Sequence, residues 1–292
     1  MVSCGGIISF DAIVFDFLQM LNLAVYLSCG ATAYYLLGRR IKKKADFFNS
    51  ITRVIELKWL DDLLKEKTTN LLVVVSGRVG SAAPLECKHN GLLSVLLEEK
   101  GNVDFEIELG DGSMIKKSLN FLLQQRETPW YLEDSTGRVN IVGAQSAIGF
   151  DATLNEYALN MPVSELLDKL VKPEGFKVLQ HSCHERALAI GTTLTFVGEA
   201  VRDKAGHLMI QEPKKQPFMV FTGEGSFDKM VDGMMSDSET YIFYSKIFGT
   251  IAVAVAIMYG VDFIRRVLSE SEKRDLGNRS DNGKSRRPRN RR

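Results

Sequence analysis

The sequence predicts a membrane protein in which two transmembrane helices flank a mainly β (α+β) loop domain, ahead of a disordered basic C-terminal tail. Three observations predict it. Two apolar segments lie far apart, short alternating runs broken by turn clusters fill the interval, and basic charge gathers at the end. The 292 residues leave room for one large or two small domains. A composition 45% hydrophobic and 25% charged suits a buried core over most of the length. The formal net charge of +1 conceals a division. Residues Arg265–Arg292 hold eleven basic and four acidic residues, a net of +7, whereas the residues before them sum to −6. This balance argues against a uniformly basic nucleic-acid surface, and no nucleic-acid partner is expected. None of the four cysteines, Cys4, Cys29, Cys87 and Cys183, forms a C-x-x-C pair, which excludes a disulfide scaffold and a self-contained zinc finger.

Residues 1–16 form an N-terminal segment without Lys or Arg but with Asp11 and Asp16, unlike the basic n-region of a cleaved signal peptide. Residues 17–37, Phe17 to Leu37, carry no charge; as a helix they span about 31 Å, enough for a hydrocarbon core. Small residues (Ser28, Gly30, Ala31, Ala33) suit helix contacts in lipid, and Tyr34 and Tyr35 suit the interface. Residues 39–68 combine a basic flank (Arg39, Arg40, Lys42, Lys43, Lys44) with an amphipathic helix predicted over Asp46–Lys67.

Residues 69–240 read as the loop domain. Leu71–Val75 has strand length, and Val103–Leu109 alternates apolar and acidic residues. Gly110-Asp111-Gly112-Ser113 turns that strand into Met114–Phe121. Trp130–Leu132 and Val139–Val142 flank a second turn, and Thr192–Val201 turns through Ala205-Gly206-His207 into Leu208–Gln211. Met219–Thr222 follows Pro213 and Pro217 and suits an edge. This spacing predicts a small barrel or sandwich, with a helix over Val163–Leu170. Residues 241–264 reach spanning length if Lys246 and Asp262 sit at the interfaces. Residues 265–292 are polar, basic and aperiodic, hence expected to be disordered. The basic tail places both termini in the cytosol, while the cluster at Arg39–Lys44 argues the other way.

No phosphate loop, H-E-x-x-H or G-x-S-x-G motif is present. Cys87-Lys-His89 and His181-Ser-Cys183-His184 hold thiols and imidazoles able in principle to bind zinc or to pair as nucleophile and base. Surface or edge residues without metal remain the plainer alternative. No cofactor is expected, and no catalytic or metal-binding residue is assigned.

Several motifs carry a resemblance. Glu185-Arg-Ala-Leu-Ala-Ile-Gly-Thr-Thr-Leu-Thr-Phe-Val-Gly-Glu-Ala-Val-Arg202 and Ile210-Gln-Glu-Pro-Lys-Lys-Gln-Pro-Phe218 resemble the core of the GIDE domain. Tyr35-Leu-Leu-Gly-Arg39, Thr52-Arg-Val54, Val75-Ser-Gly-Arg-Val-Gly-Ser81, Cys87-Lys-His89 and Pro129-Trp-Tyr-Leu-Glu-Asp-Ser-Thr-Gly-Arg-Val139 fall in the matching order. The chain thus resembles the plant branch of the GIDE-domain organelle outer-membrane RING-type E3 ubiquitin ligases, relatives of the mitochondrial ubiquitin ligase activator of NF-kappa-B. The resemblance implies two spans at a chloroplast, mitochondrial or peroxisomal outer membrane, an intermembrane-space domain and cytosolic termini. It implies a role in protein ubiquitination and organelle organisation through partner recognition.

Residues carried over as recognition or structural motif are Gly77, Arg78, Cys87, His89, Trp130, Arg138, Glu185, Arg186, Gly191, Gly198, Glu199, Gln211 and Pro213. The implied partners are membrane lipid, outer-membrane substrate proteins and full-length family ligases. The sequence departs from the pattern after Ile264, where no Cys or His follows to build the family's C-terminal RING, the one module in which zinc is expected. The expectation is therefore a member that binds without catalysing alone, or a truncated product of an active ligase gene. The alternative is an intermembrane-space adaptor or scaffold unrelated to ubiquitination.

Overall fold

The computed structural model describes residues 10–66, 71–108, 110, 112–168 and 176–284, with side chains described throughout except at 10–21, 270 and 273–284. The chain divides into two compact units, one of residues 49–230 and one built from the segments on either side of it.

In the flanking unit, α1 runs over Phe10–Asn49. The final helix, α4, covers Ser226–Lys284 and reaches back into the central unit at its start. The two helices pack antiparallel through small residues. Ser238, buried, donates its hydroxyl to the Gly38 carbonyl at 2.9 Å. A Cβ on Gly38 would meet Ile242 Cγ1 at 2.9 Å and Ser238 O at 3.0 Å, so a larger residue would push the helices apart. Tyr34 stacks on Phe248 and Tyr241.

Within α4, Ser226–Ser269 contains a stretch long and apolar enough to cross a membrane, with almost none of it buried. Among the described residues this is one such helix where two were expected. The first predicted span lies inside α1, but the side chains of 17–21 lie outside the described residues, and the remaining apolar run is too short by itself. The N-terminal segment, up to residue 9, also lies outside them.

Two further expectations are corrected. The helix predicted over Asp46–Lys67 is three elements: the end of α1, strand β1 (Thr52–Val54) and helix α2 (Trp59–Glu66). The β-branched Thr52 and Val54 gain a parallel ladder with Val73–Val75, which local helical periodicity could not foretell. The expected tail disorder is overturned up to Lys284, because α4 runs on through the polar stretch. Extending an existing helix adds one hydrogen bond per residue fixed and needs no new nucleus. Residues 285–292 of the predicted tail lie outside the described residues.

The central unit is two sheets. The first joins β1, β2 (Leu71–Gly80), β6 (Tyr131–Glu133), β7 (Arg138–Ile141), β10 (Thr193–Arg202), β11 (Leu208–Gln211) and β12 (Met219–Thr222). Its pairings return on themselves: β2 to β6, β6 to β7, β7 to β11, β11 to β10, and β10 back to β2. This is a small barrel, one of the two arrangements the turn spacing predicts. Its interior gathers Val73, Val75, Leu132, Val139, Leu194, Phe196, Ile210 and Phe218. Gly198 sits where β10 crosses β11, and a Cβ there would stand 2.5 Å from Ile210 Cγ2 and 2.9 Å from the Phe218 ring. Helix α2 packs Leu63 and Leu64 against this core and buries Leu60.

The second sheet is open. It contains β3 (Leu85–Glu86), β4 (Leu93–Glu108), β5 (Met114–Glu127), β8 (Asn155–Leu159) and β9 (Phe176–Ala189). Its own small core packs Val103, Phe105 and Cys183 with Met161 and with Leu166 of helix α3 (Val163–Asp168). The last two residues predicted for that helix, Lys169 and Leu170, lie outside the described residues.

Candidate functional site

A cleft of about 730 Å³ lies in the central unit. It opens where β1 leaves β2 after Val75 and before β6 joins β2 at Arg78. Ser76, Gly77, Arg78 and Thr195 line it together with Ile55, Glu133–Ser135, Glu224, Gly225, Phe227 and Asp228. Gly77 belongs there for steric reasons, because a Cβ would lie 3.0 Å from both the Glu133 carbonyl and Leu132 Cβ. Thr195 donates to the Gly223 carbonyl at 3.0 Å, and the Ser76 and Thr195 hydroxyl oxygens are 2.7 Å apart.

Arg53 clamps one rim. Its Nε donates to Asp228 Oδ1 at 2.8 Å, its Nη1 to the Asn49 carbonyl at 2.9 Å, and its guanidinium lies over the Phe227 ring. Asp134 holds the other. Its Oδ1 accepts from Thr136 N at 2.6 Å and Gly137 N at 2.8 Å, and its Oδ2 from Leu57 N at 2.9 Å. Burial pushes this carboxyl up, but the hydrogen bonds from Leu57, Thr136 and Gly137 outweigh it and hold the group below its ordinary value. Both rims are thus occupied by structural bonds. Arg78 is exposed and has no ion pair among the described residues. The cleft offers the Arg78 guanidinium and the Glu133 and Glu224 carboxylates to a ligand.

A second cluster lies on the open sheet. Glu185, fully buried on β9, accepts the backbone N–H groups of Lys88 and His89, each at 3.1 Å. Its cross-strand partner is Glu99, also buried. Lys88 Nζ lies 2.7 Å from Glu99 Oε1 at an angle outside hydrogen-bonding geometry, so charge attraction holds that contact. Two facing buried carboxylates are tolerable because the 87–91 turn brings them a cation and two amides. His89 stacks on Tyr157. Cys87 is buried, its Sγ 3.7 Å from Ser94 Oγ, and burial pushes its thiol up, away from the thiolate.

The other predicted residues make contacts within the fold. Trp130 is buried against Phe196 and donates to Glu127. Arg138 covers the Tyr131 ring. Arg186 ties Glu98 to Asp151. Gly191 turns β9 into β10 at φ +84°. Gln211 donates to the buried Glu199 at 3.4 Å, and Pro213 is buried. Gly77 and Arg78 alone of the thirteen line the cleft. His181 meets the Met161 carbonyl, Cys183 faces Met161 Sδ, and His184 pairs with Glu156. Among the described residues no group of three His, Cys, Asp or Glu side chains is placed to hold a metal ion. Sequence reasoning missed Asp228, Thr195 and Glu99; their signal is pairing with Arg53, Ser76 and Glu185, far along the chain, which no local motif carries.

The family model for GIDE, described as E3 ubiquitin ligase, matches residues 114–257. E3 ubiquitin-protein ligase SP1 of Arabidopsis thaliana is 36% identical over 254 residues, covering 84% of this chain and 73% of that protein. The chain belongs to the GIDE E3 ubiquitin ligase family. E3 ubiquitin-protein ligase SPL1 of Arabidopsis thaliana is 38% identical over 206 residues, 69% of this chain and 60% of that protein. No solved structure matches the chain. In this GIDE-family chain the family match runs from β5 through β12 into the apolar part of α4.

Proposed function

We propose that this chain is a multi-pass member of the family at an organelle outer membrane, in which α1 and α4 both span the bilayer and both termini are cytosolic. The central unit then lies in the intermembrane space and recognises outer-membrane substrate proteins and full-length family ligases, contributing to protein ubiquitination and organelle organisation. The observation that carries this reading is the identity to SP1 across 254 residues, a length that needs the recognition domain and its helices together. The uncharged Phe17–Leu37 run and the close Gly38–Ser238 contact support a paired anchor.

Anchoring and recognition are the roles we assign to these residues. Two of the four cysteines, Cys4 and Cys29, fall in the N-terminal part, while Cys87 and Cys183 are buried in separate small cores.

The test combines topology and transfer. The membrane-embedded chain should resist carbonate extraction, and protease added outside the organelle should reach epitopes at both termini but not the central unit. Purified residues 1–292, given activating enzyme, conjugating enzyme and ubiquitin, should form no ubiquitin chains, while co-purifying a ligase of the family from membranes. Robust autoubiquitination, or extraction by carbonate, overturns the reading.

A further inference from the structure

β5 is the outermost strand of the open sheet. It pairs with β4 along its whole length, from Met114 opposite Glu108 to Glu127 opposite Leu96, and with no other strand among the described residues. Fourteen residues make an edge of about 46 Å. A long free edge invites pairing, and natural proteins usually shorten or cover it. Here no strand among the described residues covers it, and Met114, Ile115, Leu119 and Leu122 are all between 39% and 51% exposed.

The edge also has a charge. β5 carries Lys116, Lys117 and Arg126 against one acidic residue, Glu127, whose carboxylate already accepts from Trp130 and Gln145. Lys116 lies 3.6 Å from Glu106, whereas Lys117 and Arg126 have no ion pair among the described residues. The inner neighbour shows what such a strand accepts. Val103–Glu108 alternates apolar and acidic residues, placing Glu106 opposite Lys116 and Ile107 opposite Ile115. β5 points those side chains to both faces of the sheet, and a strand on its free edge would meet them in the same alternation. A second copy of β5 would instead bring a net positive strand against a net positive strand.

We propose that the free edge of β5 docks an extended segment of a partner protein by β-strand addition, selecting alternating apolar and acidic residues. Backbone ladder bonds would supply affinity, and Lys116, Lys117 and Arg126 with the exposed apolar side chains would supply selectivity. The proposal rests on the reading of the central unit as a recognition domain and names the chemistry of what it recognises.

The probe is a fluorescein-labelled peptide with the sequence of residues 102–109, and a control peptide with Lys in place of its three acidic residues. The full chain is held in nanodiscs of neutral lipid. Saturable binding of the acidic peptide is expected, with none of the Lys peptide and at least a tenfold loss of affinity in the double variant Lys116→Glu, Lys117→Glu. Peptide should slow backbone amide exchange in 114–127 while leaving β4 unchanged, which separates edge addition from displacement of β4. Because these lysines are exposed, the variant should keep the tryptophan fluorescence of the parent; if it does not, the exchange measurement on the parent chain decides. Equal binding of both peptides, no binding, or protection absent from 114–127 overturns the proposal. So does self-association abolished by the double variant without peptide binding, which would assign the edge to a second copy. Failure here with intact ligase co-purification removes the docking edge alone and leaves the family role standing.

Discussion

The two sheets of the central unit handle their edges in opposite ways. The barrel sheet closes: β2 and β10 pair with each other and with β6 and β11 on their far sides, so its principal strands have partners on both flanks. Closure forces tight interior packing, seen where Gly198 leaves no room for a methyl group. The open sheet has two long strands, β4 and β9, paired on both sides, yet its outer strand β5 exposes an edge. Stability concentrates where strands close on themselves, and the capacity to gain a partner strand remains where they do not.

The sharpest way to break this contrast is in the barrel core. Phe196, fully buried between Trp130 and Phe218, should cost about 3–5 kcal/mol when changed to Ala. Denaturant unfolding in detergent, followed through Trp130 fluorescence, reads this; a loss near 1 kcal/mol would show that the barrel does not carry the stability. Asp134→Asn comes next, at about 1.5–3 kcal/mol, because its ionised carboxylate holds three backbone amides. The folded group titrates below its ordinary value of 3.8, so it stabilises the fold above the unfolded titration and loses that contribution as pH falls through the folded one. Acid unfolding should therefore flatten between about pH 4 and the folded midpoint in the variant, and an unchanged acid limb would contradict the assignment.

On the open sheet, Glu185→Ala should cost about 1–3 kcal/mol and speed amide exchange at Lys88 and His89. Exchange equal to the parent would mean the 87–91 turn holds itself. Smallest of all, Leu179→Thr on the exposed face of β9 should change unfolding by no more than about 0.5 kcal/mol. A larger effect would reveal that this face is covered in the folded chain.

Much of this architecture is legible in the residues. The hairpins between Val103 and Phe121, between Trp130 and Val142, and between Thr192 and Gln211 announce themselves by alternation and turn clusters, since both are local. The apolar core of α4 is equally plain, because crossing a bilayer requires an unbroken apolar run. The stretch 46–67 misled: its apolar spacing fits a helix, but Thr52–Val54 belongs to a ladder whose other strand lies about twenty residues on. The candidate residues divide for the same reason. Glu185 and Gly198 stand out in the sequence as motif, yet whether they bind a partner or hold the fold depends on Lys88, His89 and Ile210.

The sequence by itself determined the family, the apolar segments and the strand-and-turn rhythm, because each is written in residues near one another. Only the tertiary structure decided which strands close into a barrel, which carboxylates face each other in the interior and which edge stays free. Those are properties of pairing between distant segments, where the free energy comes from ladder bonds and packed side chains that no single stretch contains.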